Sequence, residues 1–250
     1  MLKKRIIPIL LIKNGSIVKT TQFKNPRVVG DIKSTVQIFK NRLADELCII
    51  DLDASKYKKI NFQLIDDIAR ISNMPLTVAG NINSLEVAQK LFDCGIDKLM
   101  IRSLFHQNIK IVEKIANKFG DQAIISCIDY IGYKKTAKCV YGINNDKISF
   151  KLEDFIKNID NLGVGEILLN SVDKDGLMSG YDLSTYNYVK SMTKKPIILS
   201  GGCGSLNDAL RAFKSGASAI AAGSLFYWVG ESIISLKNYL EKNKILVRIK

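Results

Sequence analysis

Carboxylates that close short apolar runs, and glycine-rich turns that close others, are the residues of this sequence equipped for proton transfer and anion binding. Asp51 and Asp53, Asp129, and Asp173 with Asp175 each end or follow a run rich in Ile, Val and Leu. A carboxylate delivered by a strand end can take or give a proton there. Asp129 is read as such a group, against the plainer role of holding the polar segment behind it. For Asp173 and Asp175 acid–base work stands beside turn chemistry before Gly176. The turn Ser200-Gly201-Gly202-Cys203-Gly204, with Gly223-Ser224 further on, can present backbone N–H groups to a phosphate. Close strand-to-helix packing is its alternative explanation. A related turn, Ala79-Gly80-Asn81 with Arg102-Ser103, is less open: Asn81 stands where a glycine would admit the anion, while Arg102 brings its own charge. It reads as a second, altered anion site. Other chemistries lack their parts. His106 is the only histidine, and the five cysteines (Cys48, Cys94, Cys127, Cys139, Cys203) have no zinc-site spacing, so neither a zinc centre nor a Ser-His-Asp triad is expected. No cofactor is called for, and His106 itself reads as an early helix residue.

The elements that must position these groups alternate strand and helix. Strand-like runs span Arg5 to Ile12, Glu46 to Leu52, Leu76 to Gly80, Lys98 to Arg102, Ala123 to Asp129, Glu166 to Ser171, Ile197 to Ser200 and Ala219 to Gly223. Between them lie amphipathic stretches, two of which open on the N-cap candidates Ser84 and Ser205 and stop before Gly95 and Gly216. Eight such units in 250 residues predict one (β/α)8 TIM barrel spanning residues 1–250. The polar segment Tyr130 to Ser149, with Asn144 and Asn145 near its apex, reads as a β-hairpin above strand five. From Pro75 to Phe105 the sequence lies on Pro196 to Phe226 at a constant offset of 121 without a gap, matching Gly80 to Gly201, Ser84 to Ser205 and Ser103-Leu104-Phe105 to Ser224-Leu225-Phe226. The barrel is therefore expected to be two duplicated half-barrels.

Charge and composition bound the partners. The 37 Lys and Arg against 24 Asp and Glu leave a net charge of +13, but the cations are scattered and no basic run carries interleaved aromatics. Nucleic acid is not the expected partner; a field that steers phosphorylated ligands is. The apolar runs are strand-sized, so no membrane segment is expected, and widely spaced thiols in apolar runs suit a reducing cytoplasm. At the N-terminal ends of strands one, two, four and six sit Arg5, Glu46, Lys98 and Glu166. Two charges of each sign there could close the barrel floor with salt bridges, which by itself reads as a stability device.

From end to end the chain resembles HisF, the cyclase subunit of imidazole glycerol phosphate synthase. The likeness rests on Lys4-Arg5-Ile6-Ile7, Lys13-Asn14-Gly15 with Val18-Lys19, Gly30-Asp31, Asp45-Glu46-Leu47, Asp51 with Ala54-Ser55, Gly165-Glu166-Ile167-Leu168-Leu169, Asp173 with Asp175-Gly176, Ser179-Gly180-Tyr181-Asp182 and Ser200-Gly201-Gly202. The resemblance implies a barrel docked by its floor on a HisH-type glutaminase. Ammonia would pass a gate formed by Arg5, Glu46, Lys98 and Glu166 and rise to a bisphosphorylated ribulose-type substrate, in histidine biosynthesis. It further implies a partner-docking role for Asp97, substrate contacts at Lys19 and Asp51, catalytic roles for Asp129 and Asp175, a phosphate site at Gly201, Gly202, Gly223 and Ser224, and an altered one at Gly80, Asn81, Arg102 and Ser103.

The departure is at the end of strand one, where the family places a catalytic aspartate and this chain has Leu11. Leucine moves no proton, and losing such a group removes roughly 10²–10⁴-fold of rate. HisF-like paralogues also serve bacterial pathways that turn an acetamido sugar into an acetamidino sugar, delivering ammonia to an ATP-dependent amidating protein. An intact gate beside Leu11 points to that role. Its alternatives are an authentic cyclase run by Asp129 and Asp175, a HisA-like phosphosugar isomerase, and a basic binding protein without catalysis.

Overall fold

Residues 5 to 13 alternate in facing, as a strand's period of two requires: Ile6, Leu10 and Ile12 join one apolar cluster and Ile7 and Ile9 another. The two clusters are the outer core beneath the helices and the lumen of a barrel. The computed structural model describes residues 2–141, 147–228 and 232–249. Its strands are β1 (Arg5–Lys13), β2 (Ser16–Thr21), β3 (Lys24–Gly30), β4 (Leu47–Asp51), β5 (Leu76–Ala79), β6 (Lys98–Ile101), β7 (Ile124–Ile131), β8 (Lys138–Tyr141), β9 (Lys147–Lys151), β10 (Glu166–Ser171), β11 (Ile197–Ser200) and β12 (Ala219–Ala222). Eight of these are parallel staves in the order β1, β4, β5, β6, β7, β10, β11, β12, and β12 pairs back to β1 to close the ring. The eight-stranded parallel barrel expected from the sequence is thus present, with every stave within about two residues of its expected bounds.

The helices are α1 (Ile32–Asn41), α2 (Leu52–Tyr57), α3 (Phe62–Ser72), α4 (Leu85–Asp93), α5 (Leu104–Gln107), α6 (Ile109–Phe119), α7 (Leu152–Ile159), α8 (Leu183–Lys190), α9 (Leu206–Lys214), α10 (Ser224–Trp228) and α11 (Ile233–Lys242). The duplication shows in their caps. Ser84 accepts from Val87 N at 3.2 Å to open α4, and Ser205 accepts from Asp208 N at 3.2 Å to open α9. Each ends before a glycine of positive φ, Gly95 (+86°) or Gly216 (+105°). Their buried faces put Ala88 and Leu91, or Ala209, Leu210 and Phe213, against the sheet. A fully buried side chain of this size contributes about 1.5–3 kcal/mol, so truncation of Leu91 or Phe213 would strike the outer core directly. No helix among the described residues is long and apolar enough to cross a membrane.

Two excursions leave the ring, both at its C-terminal mouth. The segment behind β7 contains β8 and β9, antiparallel to each other, with β8 also antiparallel to β7. This bears out the hairpin expected over Tyr130 to Ser149; Asn144 and Asn145 lie outside the described residues. The other excursion, the β2–β3 hairpin, was not among the expected strands. It folds over the mouth, where Gln22 N donates to Asp175 O at 2.9 Å.

Candidate functional site

Barrel geometry sets the site in three levels along the lumen, because alternate residues of each stave point inward. The floor holds the four charges. Arg5 Nη1 donates to Glu46 Oε1 at 2.6 Å and its Nη2 pairs with Glu166. Lys98 Nζ lies 2.8 Å from Glu166 Oε2 and 3.4 Å from Glu46 Oε2. Each cation therefore touches both carboxylates, and the four side chains form one closed ring. Their side chains are 8 to 23% exposed, so the ring is neither open to solvent nor sealed from it. Burial opposes the Glu166 charge, but Arg5 and Lys98 more than offset it and hold its carboxyl below the usual range. Asp97 adjoins the ring on the outer floor. It is exposed, and its carboxylate accepts from Leu76 N at 2.9 Å.

Above the ring the lumen is apolar. Ile7, Cys48, Met100, Ile125, Cys127, Leu168, Ala219 and Ala221 line it. Among the described residues no charged group enters this layer from the staves. Burial pushes up the thiols of Cys48 and Cys127 in this layer, so acid–base chemistry on a substrate falls to the level above.

At the mouth the charged residues reappear. Asp129, 3% exposed, binds Arg102 through Oδ2 at 2.7 Å and Asn170 Nδ2 through Oδ1 at 2.8 Å. Asp175 is half-buried, and burial raises its carboxyl to about 6, with the Asp129 charge adding to the rise and Lys19 opposing it. Lys19 reaches in from the β2–β3 hairpin and donates to Ile9 O at 2.7 Å, its ammonium 4.8 Å from the Tyr227 ring centre. Burial pulls this ammonium down to about 8, against the pull of Asp175 and Cys48. The structure thus brings Asp129, Asp175, Lys19 and Arg102 to one mouth. Arg102, an anion-binding candidate, is paired with Asp129.

The glycine turns are close approaches of backbone to backbone. A methyl on Gly201 would lie 2.5 Å from Ser171 O, and one on Gly80 would lie 2.7 Å from Asp51 O. Gly202 packs on Gly180 in the same way, and Gly180 N donates to Gly202 O at 2.8 Å. Gly223 faces the Lys19 ammonium, which sits where a Cβ would be. Gly201 and Gly202 thus serve close packing, while Gly223 lies against a cation. Asn81 adopts positive φ (+49°), Ser103 precedes α5 without a side-chain cap bond, and Ser224 opens α10. Asp51 caps α2 through Ala54 N at 2.9 Å, and Asp173 accepts from Gly132 N at 2.8 Å. Asp53 makes the matching bond to Asn14 N in the first half. Asp173 is thus seen tying two mouth loops together.

Set side by side, the two halves differ at the mouth. Leu11 pairs in register with Ile50, and Asp129 with Asn170. These positions correspond, so the first half is apolar where the second carries its carboxylate and amide. Asn170 escaped the sequence reading. It follows Glu166 and Leu168 at a spacing of two, a parity that places it in the lumen.

A family model described as histidine biosynthesis protein matches residues 5–230. The chain is 38% identical over 96% of its length and 96% of the other to a protein of Leptospira interrogans, provisionally named imidazole glycerol phosphate synthase subunit HisF. It is 37% identical over the whole of both chains to one of Campylobacter jejuni, provisionally named subunit hisF2 of that synthase. The same identity and coverage relate it to the imidazole glycerol phosphate synthase subunit HisF of Dictyoglomus turgidum.

Proposed function

We propose that this chain, which belongs to the histidine biosynthesis protein family and to its HisF-like branch, is the ammonia-conducting synthase subunit of a glutamine amidotransferase. A HisH-type glutaminase would dock on the floor around Asp97 and release ammonia beneath the ring. Arg5, Glu46, Lys98 and Glu166 would admit it, because a pair of ion pairs can open without stranding a charge: each carboxylate keeps one cation while the other swings aside. The apolar lumen then suits a neutral molecule and refuses ammonium, whose charge would be unpaired there. At the mouth, ammonia would be handed to an ATP-dependent protein that amidates a bacterial acetamido sugar.

The closed ring beneath a half-apolar mouth carries this reading. A chain that kept cyclase chemistry would need proton-transfer groups in both halves, and Leu11 with Ile50 supplies none. A glutaminase expressed with this chain should bind it and hydrolyse glutamine faster in its presence. Failure to associate, with hydrolysis unchanged, would end the proposal.

The second reading, an authentic cyclase, has one observation in its favour. Asp175, raised to about 6, sits in the range of a working acid–base group beside Asp129. It predicts imidazole formation from the bisphosphorylated ribulose-type substrate with ammonia alone, in the absence of any glutaminase.

A further inference from the structure

Of the buried side-chain atoms without a hydrogen-bond partner among the described residues, Asn170 Oδ1 lies on the path the proposed function requires. Asn170 is 7% exposed, and its Oδ1 accepts no hydrogen bond. Its orientation is fixed by chemistry: Nδ2 donates to Asp129 Oδ1, which cannot donate back, so the oxygen must point the other way. The oxygen lies against Gly201, 2.9 Å from where a Cβ on that residue would stand. On β10, Asn170 is two inward positions above Glu166 of the ring, about 13 Å up the strand at the usual rise per residue. Leu168 is the apolar step between them.

We infer that Asn170 Oδ1 receives ammonia at the top of the lumen. Burying an acceptor without a partner is costly, and such an atom is retained where a ligand supplies the missing donor. Ammonia offers three N–H groups to an acceptor that the described residues leave without a donor. The neighbouring carboxylate is unsuited to this task, since Arg102 and Asn170 already engage both oxygens of Asp129. Asn170 is therefore a binding and positioning residue, holding the nitrogen beside Lys19 and Asp175 before it leaves. The assignment rests on the ammonia-conducting reading.

Nuclear magnetic resonance on the full chain, without glutaminase, tests it. The spectra would follow the Asn170 side-chain amide and the Gly201 backbone amide in ammonium chloride and in potassium chloride. At alkaline pH, where ammonia is the main species, both signals should shift saturably in the ammonium salt alone. At neutral pH they should not. In Asn170→Leu the Gly201 shift should disappear; the wild-type comparison stands without this variant if it folds poorly. Equal shifts in both salts, no shift in either, or a Gly201 shift surviving in Asn170→Leu would overturn the assignment. A glutaminase stimulated by a chain with no such shift would retain the channel and remove Asn170 from it. Binding at Asn170 without any glutaminase association would do the reverse.

Discussion

Leu11 and Asp175 hold the sharpest residue-scale claims. Leu11 faces the lumen rim opposite Ile50, and no proton can be exchanged on that side. In an ammonia conduit Leu11→Asp should leave stimulation of a glutaminase within about twofold, because the floor lies several strand residues below. If Leu11 has replaced a working acid, the same change should raise ammonia-dependent cyclase turnover, by up to roughly 10²–10⁴-fold, over an almost inactive parent. Asp175 makes a claim about pH. Its carboxyl is raised to about 6 from its ordinary value of 3.8, so the folded chain holds this proton more tightly than the unfolded one. The group's cost to stability is absent below the unfolded value, grows between about pH 4 and 6, and is complete above. Asp175→Asn should accordingly gain about 1 kcal/mol at pH 7 and nothing near pH 4, the figure discounted because the side chain is half-buried. Urea unfolding at the two pH values measures it; an equal change at both would contradict the assignment.

At the scale of elements, the sequence made the staves legible and hid the hairpin. Short apolar runs rich in Ile, Val and Leu marked all eight staves, and Ser84 and Ser205 marked two helices through caps that the structure contains. The β2–β3 hairpin gave no such signal. β3 reads Lys-Asn-Pro-Arg-Val-Val-Gly and is largely exposed, held by β2 and by the mouth instead of by a core, so its apolar period is missing. Asn170 was hidden differently, since a polar residue near the end of an apolar run resembles a stop signal until its parity with Glu166 is counted. The hairpin's anchorage is testable through Gly176, whose φ is +73° and whose Cβ would lie 2.3 Å from Thr20 O. Gly176→Ala should cost about 1–3 kcal/mol and speed hydrogen exchange across residues 16–30. Unchanged exchange there would show that the hairpin is held by other contacts.

For the whole molecule, the barrel divides into floor, apolar lumen and mouth, and the floor's ring takes three of its charges from the first half-barrel and one from the second. Arg5 and Glu46 come from the first half-barrel's β1 side and Glu166 from the second, with Lys98 closing the ring from β6. Within the ring only Glu46 and Glu166 correspond between the halves, and above the floor Leu11 and Ile50 stand where the second half has Asp129 and Asn170. Removing Arg5 should leave two carboxylates with one cation and cost about 2–3 kcal/mol, below the ~3–5 of a fully buried pair because the Arg5 side chain is 23% exposed. Thermal unfolding of Arg5→Ala checks this, and an unchanged midpoint would mean the ring carries no stability. The measurement that bears most directly on conduction is glutamine hydrolysis by a HisH-type glutaminase titrated with this chain and with Arg5→Ala. The account predicts a defined complex and stimulated hydrolysis with the parent chain, with nitrogen transfer to an acceptor impaired when the ring is broken. No complex and no stimulation by the parent chain would contradict it.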